Sequence, residues 1–196
     1  MPEFYLASKS PRRSDLLSMV GADFEVISSD ANEDIEKLSP SETVRILSVR
    51  KAEGALSYKK DENALIIASD TVVSLDGVIF GKPRDREDAY KMLRSLSGRA
   101  HEVFSGIAIL GKDKCHSESV CTRVFFRELS DSEIYHYIDK YAPFDKAGAY
   151  GIQEFAGVFA EKIEGDINNV IGLPLCALEC ALRREFGSSL FKTYEK

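Results

Sequence analysis

The sequence lacks the features that would tie it to a membrane, a metal-stapled scaffold or duplex nucleic acid. No apolar run approaches the ~20 residues that a bilayer-crossing helix needs. The opening stretch MPEFYLASKSPRR has neither the basic start nor the long apolar core of a secretion signal, so a soluble, cytoplasmic protein is expected. Cysteines are few: Cys115, Cys121, Cys176 and Cys180 form no C-x-x-C pair, which argues against a zinc ribbon or a disulfide framework and leaves them as expected reduced packing residues. His101, His116 and His136 have no partner at metal-ligand spacing, so any metal is expected to be bound through oxygen. Positive charge is also in deficit. Lys plus Arg number 26 against 32 Asp plus Glu, a net charge of −6, which excludes a surface built to cover a nucleic-acid polymer. Internal repeats, low-complexity tracts and Pro/Gly/Ser-rich linkers are absent, and residues 1–196 read as a single continuous domain.

What is present alternates between strand and helix patterns. A short apolar run at 4–7 meets Ser8-Lys9-Ser10. Pro11 then opens a helix with Leu16, Leu17 and Val20 on one face, Ser10 as N-cap and Gly21 as the stop. A strand at 24–27 leads to an acidic loop with Asp30, Glu33, Asp34 and Glu36. Ser39 and Glu42 form a capping box for an amphipathic helix carrying Val44, Leu47, Ala52 and Leu56. The run ALIIA at 64–68 predicts a buried central strand ending at Ser69-Asp70-Thr71, followed by a hairpin over 72–80 turned at Asp76-Gly77. A helix over about 86–96, a hairpin of strands at 103–110 and 120–126, a helix capped by Ser130 and Glu133, a strand at 158–163 and a last helix after Pro174 complete the reading. Mixed βα units and antiparallel hairpins predict an α/β fold with a mixed sheet.

Four segments are chemically suggestive. Ser8-Lys9-Ser10-Pro11-Arg12-Arg13 joins hydroxyls, cations and the free N–H groups of a helix start, a combination that binds anions; the plain alternative is a capped helix with solvated basic residues. Asp70 follows a buried strand, where a carboxylate meets ligand at the sheet edge and holds a divalent cation or orients water, with Glu33 as a second oxygen donor. Against this, Asp70 reads equally as a turn residue and Glu33 as solvated surface. Lys51, Lys82 and Lys146 read singly as surface lysines, although Lys82 between Gly81 and Pro83 is aimed by a stiff backbone. The glycine-rich DKAGAYGIQ at 145–153 and GDINNVIGLP at 165–174 allow close backbone approach to a ligand, or simply make turns; Gln153 there offers a donor and an acceptor to a base edge.

Together these segments resemble the Maf family of nucleoside triphosphate pyrophosphatases. The likeness spans almost the whole chain: LASKSPRR at 6–13, Glu33, RKA at 50–52, SDTVV at 69–73, GKPRD at 81–85, LSGRAHEV at 96–103, DKAGAYGIQ at 145–153 and NVIGLPL at 169–175. The resemblance implies a central twisted mixed sheet flanked by helices, with two lobes around a substrate groove, in the manner of Maf and inosine triphosphatase proteins. It implies hydrolysis between the α and β phosphates with a divalent metal, Mg2+ or Mn2+, and a homodimer as the candidate assembly. The DKAGAYGIQ form is similar to the branch acting on dTTP and UTP. Asp70 matches the family's proton acceptor, and Ser8, Arg13, Glu33, Lys51 and Lys82 match its phosphate and metal site, with Glu33 and Asp70 toward the metal. Lys51 and Lys82 are assigned to catalysis. Arg12, Thr71 and Gln153 match its base-selecting positions, and Lys146 joins the substrate-binding set.

The implied chemistry is coherent. Arg13, Lys51, Lys82 and a cation offset the triphosphate and the charge that develops on departing pyrophosphate, while Asp70 orients or deprotonates water. The Gln153 amide complements the O4 and N3–H edge of uracil or thymine, but a rotated amide also satisfies cytosine, so Gln153 does not select alone. Two departures from the family pattern stand out. KYAPF at 140–144 replaces a usual Ser-Gly-Glu triplet, and Glu154 replaces a usual glycine, an added carboxylate expected to alter selectivity beside the base. A nucleotide-binding regulator of cell division and septum formation, and a purine or inosine triphosphate pyrophosphatase, are the alternatives.

Overall fold

Strand β1 (Phe4–Ala7) buries all four of its residues, and the chain then turns through Ser8-Lys9-Ser10 into helix α1 (Pro11–Met19). The computed structural model describes residues 3–35 and 38–191; Glu36 of the acidic loop lies outside them. Ser10 holds the expected N-cap position and Pro11 the first turn, but the Ser10 side chain makes no capping bond. Instead, the Ser10 N–H donates to Ser8 Oγ at 3.1 Å. Strand β2 (Phe24–Ile27) lies parallel to β1. Helix α2 (Pro40–Glu53) opens on the expected reciprocal capping box of Ser39 and Glu42. It stops at Gly54, and Leu56 belongs to a separate 3-10 turn rather than to the helix.

The apolar run at 64–68 does not end where polarity appears. It continues through Ser69, Asp70 and Thr71 as one strand, β3 (Leu65–Leu75), which absorbs the first arm of the expected hairpin. Polar residues are tolerated in this central strand because their hydroxyls are satisfied: Ser69 Oγ donates to the Gly172 carbonyl at 2.9 Å, and Thr71 Oγ1 lies 2.8 Å from Ser105 Oγ. The hairpin turns at Asp76-Gly77 as expected, both with positive φ, into β4 (Val78–Phe80).

Helix α3 (Arg86–Leu96), strands β5 (Ala100–Leu110) and β6 (Cys115–Phe126), helix α4 (Asp131–Tyr141) and strand β7 (Ala160–Glu164) follow. Strand β6 begins earlier than its apolar residues indicate because the polar segment 115–119 still pairs with β5. A short helix α5 (Ile167–Ile171), which the sequence reading lacks, precedes α6 (Leu175–Ala181), and α6 runs on into a π turn, Leu182–Phe186. All four cysteines are free and exposed rather than packed.

The seven strands form one mixed sheet in the order β2-β1-β3-β5-β6-β7, with β4 also beside β3. β5 pairs with β3 from Ile66 to Ser74 and so fills one edge. The other edge is shared: β1 takes Leu65 to Ile67 and β4 takes Val73 to Leu75. The cores divide at the same place. Ile67 packs with α1 and α6, and Ile66 and Ala68 with Tyr5, Ala52 and Ala108 on the opposite face. Val73 and Leu75 instead join the core of α3, α4, Tyr150 and Phe159. The result is the expected pair of lobes flanking a mixed α/β sheet, with β3 running through both.

Candidate active site

Because β1 leaves β3 after Ile67 and β4 joins it only at Val73, residues 68–72 have no strand partner on that edge. Asp70, Thr71 and Val72 of this gap line a cavity of about 380 Å3, and a second of about 290 Å3 shares with it Ser10, Arg12, Arg13, Glu33, Lys51, Lys82 and Asp145. Such volumes suit a nucleotide-sized ligand, for which sites of roughly 300–1,000 Å3 are usual.

The turn after β1 supplies one wall. Ser8 Oγ accepts from the Ser10 N–H at 3.1 Å and from Arg13 Nη1 at 3.3 Å. Arg13 also donates from Nε to the Gly172 carbonyl at 2.8 Å and from Nη2 to Thr71 Oγ1 at 3.1 Å. Burial pulls its guanidinium below the ordinary value and Asp70 opposes that shift; a guanidinium stays charged regardless. Arg13 thus ties β1, β3 and the loop after α5 together using neutral acceptors, which leaves its charge uncompensated by any direct carboxylate partner among the described residues.

Asp70 sits in the middle of β3 rather than at the tip expected from the sequence, on the same sheet face as Ile66 and Ala68, which α2 covers, and lines the groove there. Its Oδ1 lies 2.5 Å from Lys51 Nζ, with side chains 12% and 16% exposed respectively. Lys51 also reaches Glu33 Oε1 at 3.3 Å, and Glu33 is 65% exposed. Two carboxylates therefore converge on one ammonium. The helix bearing Lys51 comes this close because Gly106, opposite Asp70 in β5, has no side chain: a Cβ there would stand 2.2 Å from the Val44 carbonyl oxygen. Lys51 lies seven residues beyond Val44, two turns farther along the same helix face.

The second lobe faces this pair with a row of alternating charges. Arg12 Nη1 crosses the groove to Asp145 Oδ2 at 3.2 Å. Asp145 Oδ1 and Glu154 Oε1 then hold Lys146 Nζ at 2.8 and 3.3 Å. Burial raises the Asp145 carboxyl, but Lys146 and Arg12 outweigh it and leave the group below its ordinary value. Glu154, the added carboxylate noted in the sequence, is paired with Lys146. Lys82 is exposed on the groove wall with no ion-pair partner among the described residues, and Gln153 is exposed there with its amide unbonded.

All ten residues singled out in the sequence thus gather here: Ser8, Arg12, Arg13, Glu33, Lys51, Asp70, Thr71, Lys82, Lys146 and Gln153 each line one or both cavities. Sequence reasoning missed the residues that hold them. Asn169 is fully buried, accepts from Ser105 N–H at 3.1 Å and donates to the Val103 carbonyl at 2.9 Å and Thr122 Oγ1 at 3.0 Å, pinning α5 under the sheet. That pin places the Gly172 carbonyl that Arg13 and Ser69 share. An asparagine at the head of the apolar segment NVIGLPL was the available signal; for Gly106, a lone glycine in a strand pattern was.

Fold and groove together define a two-lobed α/β protein with a cationic cleft cut into its sheet edge. The family model for "Maf-like protein" matches residues 3–185, and the chain belongs to that family. It is similar to the dTTP/UTP pyrophosphatase of Thermotoga maritima, 52% identical over 170 residues that cover 87% of this chain and 83% of the relative. It is also similar to the dTTP/UTP pyrophosphatase of Carboxydothermus hydrogenoformans, 46% identical over 183 residues, 92% and 97% of the two chains. Among solved structures, the Staphylococcus aureus Ham1 protein overlaps 65% of this chain and 72% of its own with a TM-score of 0.45 and 19% identity.

Proposed function

We propose that this protein is a nucleoside triphosphate pyrophosphatase that converts dTTP and UTP to the monophosphate and pyrophosphate, a nucleotide-pool cleaning activity. The observation that carries the reading is Asp70, a largely buried carboxylate of the central strand that lines the groove together with Arg12, Arg13, Lys51, Lys82 and Lys146. Binding a polyanion needs the cations but gains nothing from the acid; activating water needs both. The names of the relatives support the substrate class. No helix among the described residues is long and apolar enough to cross a membrane, and four free exposed thiols suit the reducing cytoplasm.

In this reading a triphosphate with about four negative charges lies along Arg13, Lys51 and Lys82. The helix start at Ser10 adds its N–H groups and dipole. Asp70 presents Oδ2, which has no protein partner among the described residues, to a water molecule. The water oxygen bonds to phosphorus at the α–β bridge, its proton passes to Asp70, and the bridge electrons leave with the departing phosphate group. Lys82 and Arg13, aimed at the phosphates, stabilise that charge in the transition state. At the other wall Arg12, Thr71 and Gln153 face the nucleoside, with Lys146 behind them.

A divalent cation fits these residues. Glu33 and Asp70 converge on the Lys51 ammonium, so the structure already places a positive charge between two hard oxygen donors. Among the described residues no group of three or more His, Cys, Asp or Glu side chains forms a closed metal site. Mg2+ or Mn2+ held by one or two carboxylates and substrate phosphates matches that donor set. When bound, such an ion supplies charge neutralisation and acidifies water.

The test is a nucleotide panel with Mg2+ or Mn2+, with pyrophosphate resolved from orthophosphate. Pyrophosphate release fastest from UTP and dTTP is expected. Preference for purine triphosphates, or tight binding without turnover, overturns the reading in favour of a purine pyrophosphatase or a nucleotide-binding regulator.

A further inference from the structure

Gln153 is exposed and its side chain has no bonding partner among the described residues, so its backbone aims it, and that backbone is braced in three ways. Gly151 N–H donates to Tyr137 Oη at 3.2 Å, tying the segment to α4. Glu154 N–H closes a turn on the Gly151 carbonyl at 3.1 Å. The third brace is ionic: Glu154 Oε1 stands 3.3 Å from Lys146 Nζ, which also bonds Asp145 at 2.8 Å. Lys146 is only 8% exposed, and its stem lies where a Cβ on Gly151 would meet its Cε at 2.8 Å. Gly151, Ile152 and Gln153 line the groove, whereas Glu154 does not. A buried ammonium flanked by two carboxylates is a fixed post, and the segment 151–154 is paired to it through Glu154 and packs on its stem at Gly151.

We infer that Glu154 is a positioning residue for nucleobase selection: through Lys146 it fixes the wall formed by residues 151–153, and with it both the width available to the base and the place from which the Gln153 amide meets the base edge. This rests on the groove being a nucleoside triphosphate site, as proposed above. The structure separates this role from a mere charge effect. Removing one negative charge near a polyanion site strengthens binding of every triphosphate alike. Loosening a wall instead erodes the distinction between bases, because a double-ring base enters where a fixed wall keeps it out.

The experiment compares the intact chain with Glu154→Ala and Glu154→Gln, using kcat/KM on UTP and GTP and equilibrium binding of the α,β-methylene analogues of both. Glu154→Ala is expected to lower the UTP-to-GTP ratio about fivefold to tenfold in both assays, the equivalent of one ordinary hydrogen bond, with the kinetic change carried in KM. Glu154→Gln, which keeps an amide oxygen of the same reach facing Lys146, is expected to restore most of the ratio. An unchanged ratio in Glu154→Ala, or an equal shift for both nucleotides in both variants, overturns the inference while leaving the proposed activity intact. If neither triphosphate is hydrolysed but the analogue ratio falls in Glu154→Ala alone, the brace stands and the activity falls. Absence of any analogue binding overturns both.

Discussion

Arg12, Glu33, Lys51, Asp70, Asp145 and Lys146 of the groove stand in ion pairs, and the pairing sets what each can do. Lys51 is shared by Asp70 and Glu33 at 2.5 and 3.3 Å, so removing one carboxylate leaves the ammonium with the other. Asp70→Asn is therefore expected to keep the fold, read as an unchanged far-UV circular dichroism spectrum, while kcat on UTP falls about a thousandfold, the scale of a lost general base. Turnover near that of the unaltered protein would remove Asp70 from the chemistry. SKSPRR and Asp70 were suggestive by their own chemistry, whereas Lys51 and Lys82 read singly as surface lysines and Glu33 as solvated surface, and only the family resemblance joined them to the others. Their partners were not legible. Lys51 and Asp70 are brought together by a helix lying across a sheet, and the Arg13 bonds to Thr71 and Gly172 span 58 and 159 positions of the chain, distances no local pattern encodes.

At the scale of elements, local chemistry was a sound guide wherever it is self-contained. The capping boxes at Ser39 and Ser130 and the turn at Asp76-Gly77 all form as their residues dictate. Misreadings fell on polar stretches inside strands. Ser69-Asp70-Thr71 reads as a strand end because unpaired polar groups are costly in a core, and the segment 115–119 reads as a turn for the same reason. Both are strand because a neighbour satisfies them, and that neighbour is remote in sequence. Gly106 shows what such remote contacts demand. Its missing Cβ would strike backbone atoms of Val44 at 2.2 and 2.4 Å, which cannot swing aside, so Gly106→Ala forces α2 off the sheet. A loss of about 2 kcal/mol or more is expected from the denaturant midpoint, in line with overpacked cores, together with lower turnover per folded molecule as Lys51 retreats from Asp70. An unshifted midpoint would show that α2 is free to move at that crossing.

The molecule as a whole is two lobes threaded by β3, and the core of the second carries a titratable group that links its stability to pH. His101 is buried among Phe126 and Tyr150, its Nε2 lies 2.8 Å from Tyr150 Oη and its Nδ1 has no hydrogen-bond partner among the described residues. Burial pushes its pKa down from 6.5 to about 4. Above pH 6.5 both folded and unfolded chains hold it neutral and stability is full. Below that, the unfolded chain takes up a proton that the native core refuses, so stability falls as pH drops toward 4, by about 3 kcal/mol in total. Urea unfolding between pH 7.5 and 4.5 is expected to show this slope and to show it flattened in His101→Gln; parallel slopes would contradict the assignment.

The groove between the two lobes is where the central claim is decided, and it concerns a single bond. UTP hydrolysed by the intact protein in water enriched with heavy oxygen, with the products separated by mass spectrometry, reports where the solvent oxygen goes. The account predicts label in uridine monophosphate or in pyrophosphate, and none in orthophosphate. Label confined to orthophosphate, with unlabelled uridine diphosphate beside it, would contradict it.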